Sequence, residues 1–129
     1  MIYSATLPAQ SMGTADVTVL AGVYSPSFYS GDTVTDVKLV APHGFPVVTG
    51  ATPNNATISV RQLRNGVPIQ TIASLTVTTG VSLSPAMPVT IPIVQQPTLL
   101  AGDVLDVQMH QNGSGLAIGS GLLLSVFVS

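Results

Sequence analysis

Apolar residues recur along this chain with a period of two, in short runs broken by Gly or Pro. No stretch of about eleven residues or more spaces them at i, i+3, i+4 and i+7, the signature of an amphipathic helix. Ten prolines and twelve glycines interrupt the sequence, which leaves no room for long helices. The elements it predicts are strands. Residues 2–7 read as a first strand or arm, closed by Pro8. Residues 16–24 follow with Val17, Val19, Ala21 and Val23 in one phase. Residues 33–41 come next, with Val34, Asp36 and Lys38 opposite Val37 and Leu39. Val47 and Val48 suggest a short extra strand.

Residues 56–75 make the clearest hairpin. Residues 57–62 pair with residues 67–74 across Asn65-Gly66, a strong turn dipeptide. A two-residue Asn-Gly turn would set Val60 opposite Thr71. A four-residue Leu63-Arg64-Asn65-Gly66 loop would set it opposite Ile69, the better apolar match and the favoured register. Residues 76–79 extend the second strand, and residues 80–87 turn the chain round. Pro88 and Pro92 cannot donate to a ladder, so residues 88–94 belong at a sheet edge.

Ala101-Gly102-Asp103 then launches a strand with Leu105, Val107 and Met109 on one side. Val104, Asp106, Gln108 and His110 lie on the other. Gly113 and Gly115 supply a hairpin connection to residues 122–128, apolar at six of seven positions and so expected to be covered on both faces. The pattern predicts an all-β chain: an antiparallel β-sandwich or jelly roll of about seven or eight short strands. Residues 1–129 read as one domain, without an internal repeat.

Two loops carry aromatics. Residues 25–32 hold Phe28 and Tyr29 just after Tyr24, and residues 42–46 hold His43 and Phe45 between prolines. Large aromatics in loops either fold back over one end of a core or meet a partner. Tyr24, Phe28, Tyr29, His43 and Phe45 are therefore candidate interface residues.

Composition narrows the function. Charged residues are 6% of the chain, hydrophobic residues 46%, and the net charge is −2. Soluble domains carry about a quarter charged residues, so much of this surface is expected to be covered by copies of the chain or by a larger assembly. Three cationic side chains cannot track a phosphate backbone, so no nucleic acid is expected as partner. The longest nearly apolar run, residues 116–128, is broken at Gly119-Ser120-Gly121. It falls short of the roughly twenty residues a bilayer needs, so no membrane is expected either. No cysteine is present, which leaves no disulfide framework.

Candidate chemistry is sparse. The acid–base groups are Asp16, Asp32, Asp36, Asp103, Asp106, His43, His110 and three tyrosines. Asp16, Asp32 and Asp103 stand where strands begin, as turn residues that hold backbone amides. Asp106, Gln108 and His110 share one face of a strand and read as a wet face, since no serine sits in a nucleophile elbow. His43 and His110 lie in different segments, too far apart in sequence to suggest a metal centre. Residues 113–119 miss the phosphate-loop spacing. Asn55-Ala56-Thr57 and Asn112-Gly113-Ser114 match the glycosylation pattern by chance. The expectation is a protein that is not an enzyme, with no cofactor and no metal.

From about Ala56 onward the layout resembles small capsid-decorating (cement) and head-associated proteins of tailed bacteriophages. The matching features are the Thr57–Val60 strand, the Arg64-Asn65-Gly66 turn, the run Leu99-Leu100-Ala101-Gly102-Asp103-Val104-Leu105, and Gly113-Ser114-Gly115 before a last apolar strand. The resemblance implies a small β-rich virion protein, a homotrimer on the capsid exterior, whose partners are the major capsid protein and copies of itself. It also implies that residues 1–15 reach onto the shell as an N-terminal arm anchored by Ile2, Tyr3 and Leu7. The alternative is a carbohydrate- or receptor-binding module of a phage fibre or tail, with Phe28, Tyr29 and Phe45 stacked on sugar rings.

Overall fold

The computed structural model describes residues 1–25 and 31–129. The strands are β1 (Ile2–Thr6), β2 (Val17–Val23), β3 (Val34–Val40), β4 (Val48–Thr49) and β5 (Asn55–Arg64). They continue with β6 (Val67–Thr76), β7 (Ser82–Leu83), β8 (Val89–Thr90), β9 (Val104–Asn112) and β10 (Leu123–Val128). Eight of them form two four-stranded antiparallel sheets, ordered β1-β10-β3-β8 and β2-β9-β5-β6, while β4 and β7 pair separately.

This order has a simple origin. β1 pairs with β10, β2 with β9, β3 with β8 and β5 with β6, and successive pairs fall alternately in the two sheets. A long antiparallel ribbon, folded at the β5–β6 turn and rolled up, produces that arrangement. It is the jelly roll, one of the two architectures the hydrophobic pattern left open.

Alternation decides which side chains the sheets bury. Ala56, Ile58 and Val60 of β5, Leu105, Val107 and Met109 of β9, and Leu124, Val126 and Val128 of β10 all point inward. They meet Val37 and Leu39 of β3, and Ile72, Ile91 and Leu99 belong to the same continuous core. Each fully buried aliphatic side chain contributes roughly 1.5–3 kcal/mol. The glycine at 22 is a packing requirement, because a Cβ there would stand 2.5 Å from the Tyr3 ring.

Several expectations are corrected. Residues 2–6 are not an arm. They are β1, zipped along β10 from Ile2 opposite Phe127 to Thr6 opposite Leu123. β9 and β10 do not form a hairpin, since they lie in opposite sheets. Gly113 and Gly115 do adopt positive φ, but the chain then crosses the sandwich through a bridge between Gln10 and Ile118. β10 is central in its sheet, and within the chain only its inner face is fully buried. Leu123 is 42% exposed, and Ser125 and Phe127 are half-buried.

The β5–β6 turn is the two-residue form, Asn65 (φ 54°) and Gly66 (φ 77°), with Arg64 opposite Val67. Both positive φ values match the mirror-image turn that fits strand twist. Bulges between Val60 and Arg61 and between Gln62 and Leu63 then carry Val60 to Ala73, the partner of neither predicted register. β2 also bulges, between Leu20 and Gly22. The bulge breaks its predicted single phase and turns Val23 outward, where it is exposed. β7 falls within the predicted turn at residues 80–87.

The β10 register is tested by two neighbouring leucines. Leu124→Ala, which empties a fully buried site, lowers unfolding free energy in urea by about 2–5 kcal/mol. Leu123→Ala, on the opposite face, lowers it by less than about 1 kcal/mol. Equal losses at both positions would refute the assignment of faces.

Candidate interaction surface

The few charges are arranged before any partner arrives. Asp103 stands just ahead of β9 and is buried, at 1% exposure. It accepts from Arg64 Nε at 2.9 Å and Nη2 at 2.9 Å, from Gln62 Nε2 at 2.7 Å, and from the Leu100 amide at 2.9 Å. The Arg64 guanidinium is the main reason its carboxyl is lowered to about 2, with the Leu100 and Gln62 bonds adding to the effect against the cost of burial. The turn role expected of Asp103 is real, through the Leu100 amide. The same carboxylate also ties β5 to the loop before β9.

Three residues along, Arg61 of β5 lies opposite Asp106 of β9 and grips it through Nε at 2.9 Å and Nη2 at 2.8 Å. At the far end of β9, His110 Nδ1 lies 2.6 Å from Asp16, which also accepts from Gln108 at 3.1 Å. Thr57 with Thr76 (2.9 Å) and Ser59 with Ser74 (3.2 Å) continue this face as hydroxyl pairs. The strand face read as wet is thus a laced polar layer in which Asp106 is buried. Sequence reasoning missed both arginine pairs, because partners 45 and 39 residues apart leave no local signal.

On the other sheet Lys38 Nζ lies 3.5 Å from Asp36 and donates to Thr90 at 2.6 Å. All three cationic side chains of the chain therefore face an aspartate. Asp32, the remaining carboxylate, accepts from Tyr24 Oη at 2.6 Å.

The candidate interface residues divide. Leu7, Tyr24 and Phe45 are core residues, at 1%, 0% and 4% exposure, so they are corrected from contact residues to packing residues. Tyr24 sits inside because its hydroxyl is satisfied by Asp32, and burial pushes its phenol upward. Phe45 packs beside Gly119. Ile2 and His43 are exposed and Tyr3 is half-buried. Phe28 and Tyr29 lie outside the described residues.

A sheet face and a cleft are among the surfaces open to a partner. The outer face of the β1-β10-β3-β8 sheet runs in rows: Ile2, Phe127, Asp36; Ser4, Ser125, Lys38, Thr90; Thr6, Leu123, Val40. A cleft of about 440 Å³ lies among residues 9–12, 46–49 and 116–119, and no ionisable side chain lines it. Among the described residues no three His, Asp, Glu or Cys side chains converge as a metal site would require. Neither sequon presents an available amide: Asn55 is buried and donates to Ala51, and Asn112 donates to Asn55 and Thr57.

No family model and no curated protein matches this sequence. Among solved structures, a chain of the infectious bursal disease virus Gx strain is 11% identical with a TM-score of 0.41. A chain of the Gt strain is 10% identical with a TM-score of 0.43. Either likeness covers 98% of this chain and 31% of the other. Similarity this distant says nothing about function.

Asp103 gives the polar layer a pH signature. Its folded pKa lies below the ordinary value of 3.8, so its stabilisation is present above that value and is lost as pH falls toward 2. Urea midpoints of the native chain measured between about pH 5 and about pH 2 therefore fall. Asp103→Asn starts less stable at neutral pH and shows a shallower fall across the same window. An unchanged slope would show that Asp103 is not the titrating group.

Proposed function

We propose that this chain is a non-enzymatic virion structural protein, which binds an assembled phage capsid as a decoration or minor capsid protein and associates with copies of itself. The observation that carries the reading is a jelly roll whose cations are all internally paired and whose exposed residues include many apolar ones. Leu20, Val23, Val47, Met87 and Val94 are each more than half exposed. Such a surface suits large neutral contacts with protein, where apolar burial supplies affinity and repetition over a lattice multiplies it. It offers little to a charged substrate. The sugar-binding alternative loses Phe45, which is in the core.

Shells assembled without the protein, mixed with the purified chain and pelleted, test the reading. Binding is saturable, and its affinity changes by no more than about threefold between about 0.1 M and about 1 M salt. The Debye length falls from about 10 to about 3 Å over that range. Failure to bind shells, with selective capture of a glycan instead, would replace this function by the receptor-binding one. A loss of about tenfold or more with salt would overturn the apolar mechanism.

A further inference from the structure

We infer that β1 is an open sheet edge that pairs, antiparallel and about a two-fold axis, with β1 of a second copy. The main chain supplies the first reason. Met1 and Val128 exchange both of their hydrogen bonds (Met1 N to Val128 O at 3.0 Å, Val128 N to Met1 O at 2.8 Å), and Leu7 N donates to Leu122 O at 2.8 Å. In an antiparallel ladder such pairs alternate with pairs that face away from each other. The unbroken β1–β10 register therefore turns the N–H and C=O groups of Ile2, Ser4 and Thr6 outward. Among the described residues none of these groups has a hydrogen-bond partner.

The other edges are blunted in ways β1 is not. β8 is two residues long between Pro88 and Pro92. β6 carries Pro68 and its bulged pairing with β5, and along its second half Ile72 and Ser74 bond to residues 92–95. β2 is bulged beside Gly22. Proteins keep edges from pairing with charges, prolines, bulges or covers. β1 reads Ile-Tyr-Ser-Ala-Thr and has none of the first three.

The chemistry of the edge points to a second copy as the occupant. Outward groups at positions 2, 4 and 6 are symmetric about Ser4, so two β1 strands bond as Ser4 to Ser4 and Ile2 to Thr6 without a mismatch. Leu123 lies beside Thr6, and Phe127 beside Ile2. Pairing therefore joins Leu123 and Thr6 of one copy to Ile2 and Phe127 of the other in one row. Met1 and Ile2 at this edge are 53% and 60% exposed, and Leu20 and Val23 of β2, whose Gly22 is covered by Tyr3 of β1, are 67% and 57% exposed. The contact is isologous, so a trimer would have to be built on other surfaces. The inference does not depend on the virion reading.

Sedimentation of the full chain tests it together with a cross-link. The native chain sediments as a dimer of the 13.2 kDa subunit. Ser4→Pro, which removes an N–H the fold itself does not use, and Thr6→Lys each weaken the dimer by at least about tenfold while far-ultraviolet circular dichroism stays that of a folded sheet. Ser4→Cys, in a chain otherwise free of cysteine, oxidises to a disulfide-linked dimer. Facing residues of such a pair are about 5.5 Å apart, within disulfide reach. A native monomer overturns the inference. So does a dimer or trimer that survives both Thr6→Lys and Ser4→Pro, or that fails to cross-link through Ser4→Cys.

Discussion

Main-chain pairing between distant parts of the chain is the constraint on which this fold depends. Met1 meets Val128 across a separation of 127 residues, and β2 must find β9 before either can bury its inner face. Among the described residues only β5 and β6 pair locally, through a turn whose residues already favour the required positive φ. Closing the long loops costs entropy before contacts reward it. The pairing of least separation, β5 with β6, is therefore the cheapest to form, and each wider pair is set in register by the one inside it. The core follows from this order. Once the ribbon is rolled, strict alternation delivers Ile58, Val107, Leu124 and Val37 to the same layer without further instruction.

The charges obey a second constraint. A chain with so few of them cannot leave one buried and unpaired, because desolvation alone costs several kcal/mol per ion. Asp103 and Asp106 are both taken out of water, and each receives an arginine fork from β5. The two forks sit where the β5–β9 ladder approaches the hairpin tip. They hold Arg61 against Asp106 and Arg64 against Asp103 at that end of the ladder. Their other effect is outward: with these charges answered internally, the surface is held together and presented mainly by hydroxyl, amide and aliphatic groups.

What the sequence made legible follows from the same physics. Period-two alternation and Gly/Pro punctuation located β1, β2, β3, β5, β6, β9 and β10 to within a few residues, and the two prolines placed β8 at an edge. Partnership was another matter. Gly113 and Gly115 mark a reversal of the chain, but a reversal within a sheet and a crossing between sheets need the same backbone freedom. The main-chain bonds from residues 118–122 to Leu7 and Gln10 distinguish them. Bulges were also invisible, since an extra residue in β2 or β6 leaves composition unchanged while switching which side chains face out. Aromatic size alone did not separate buried from exposed positions. Tyr24 and Phe45 were drawn into the core by the apolar area they offer, while the exposed Ser4 and Thr6 of β1 carry no signal of their own.

The meeting of Met1 with Val128 has a consequence for how the chain can be rewired. The two ends of the described fold lie one hydrogen bond apart, so a short flexible link could join them without disturbing either strand. New ends could then be opened at Asn65-Gly66, an exposed tip where cutting removes one tight turn and no buried contact. Such a circular permutant would keep every strand neighbour while turning the most distant pairing in the chain into a local hairpin. It would also move any fused cargo from the β1–β10 ends to the β5–β6 tip.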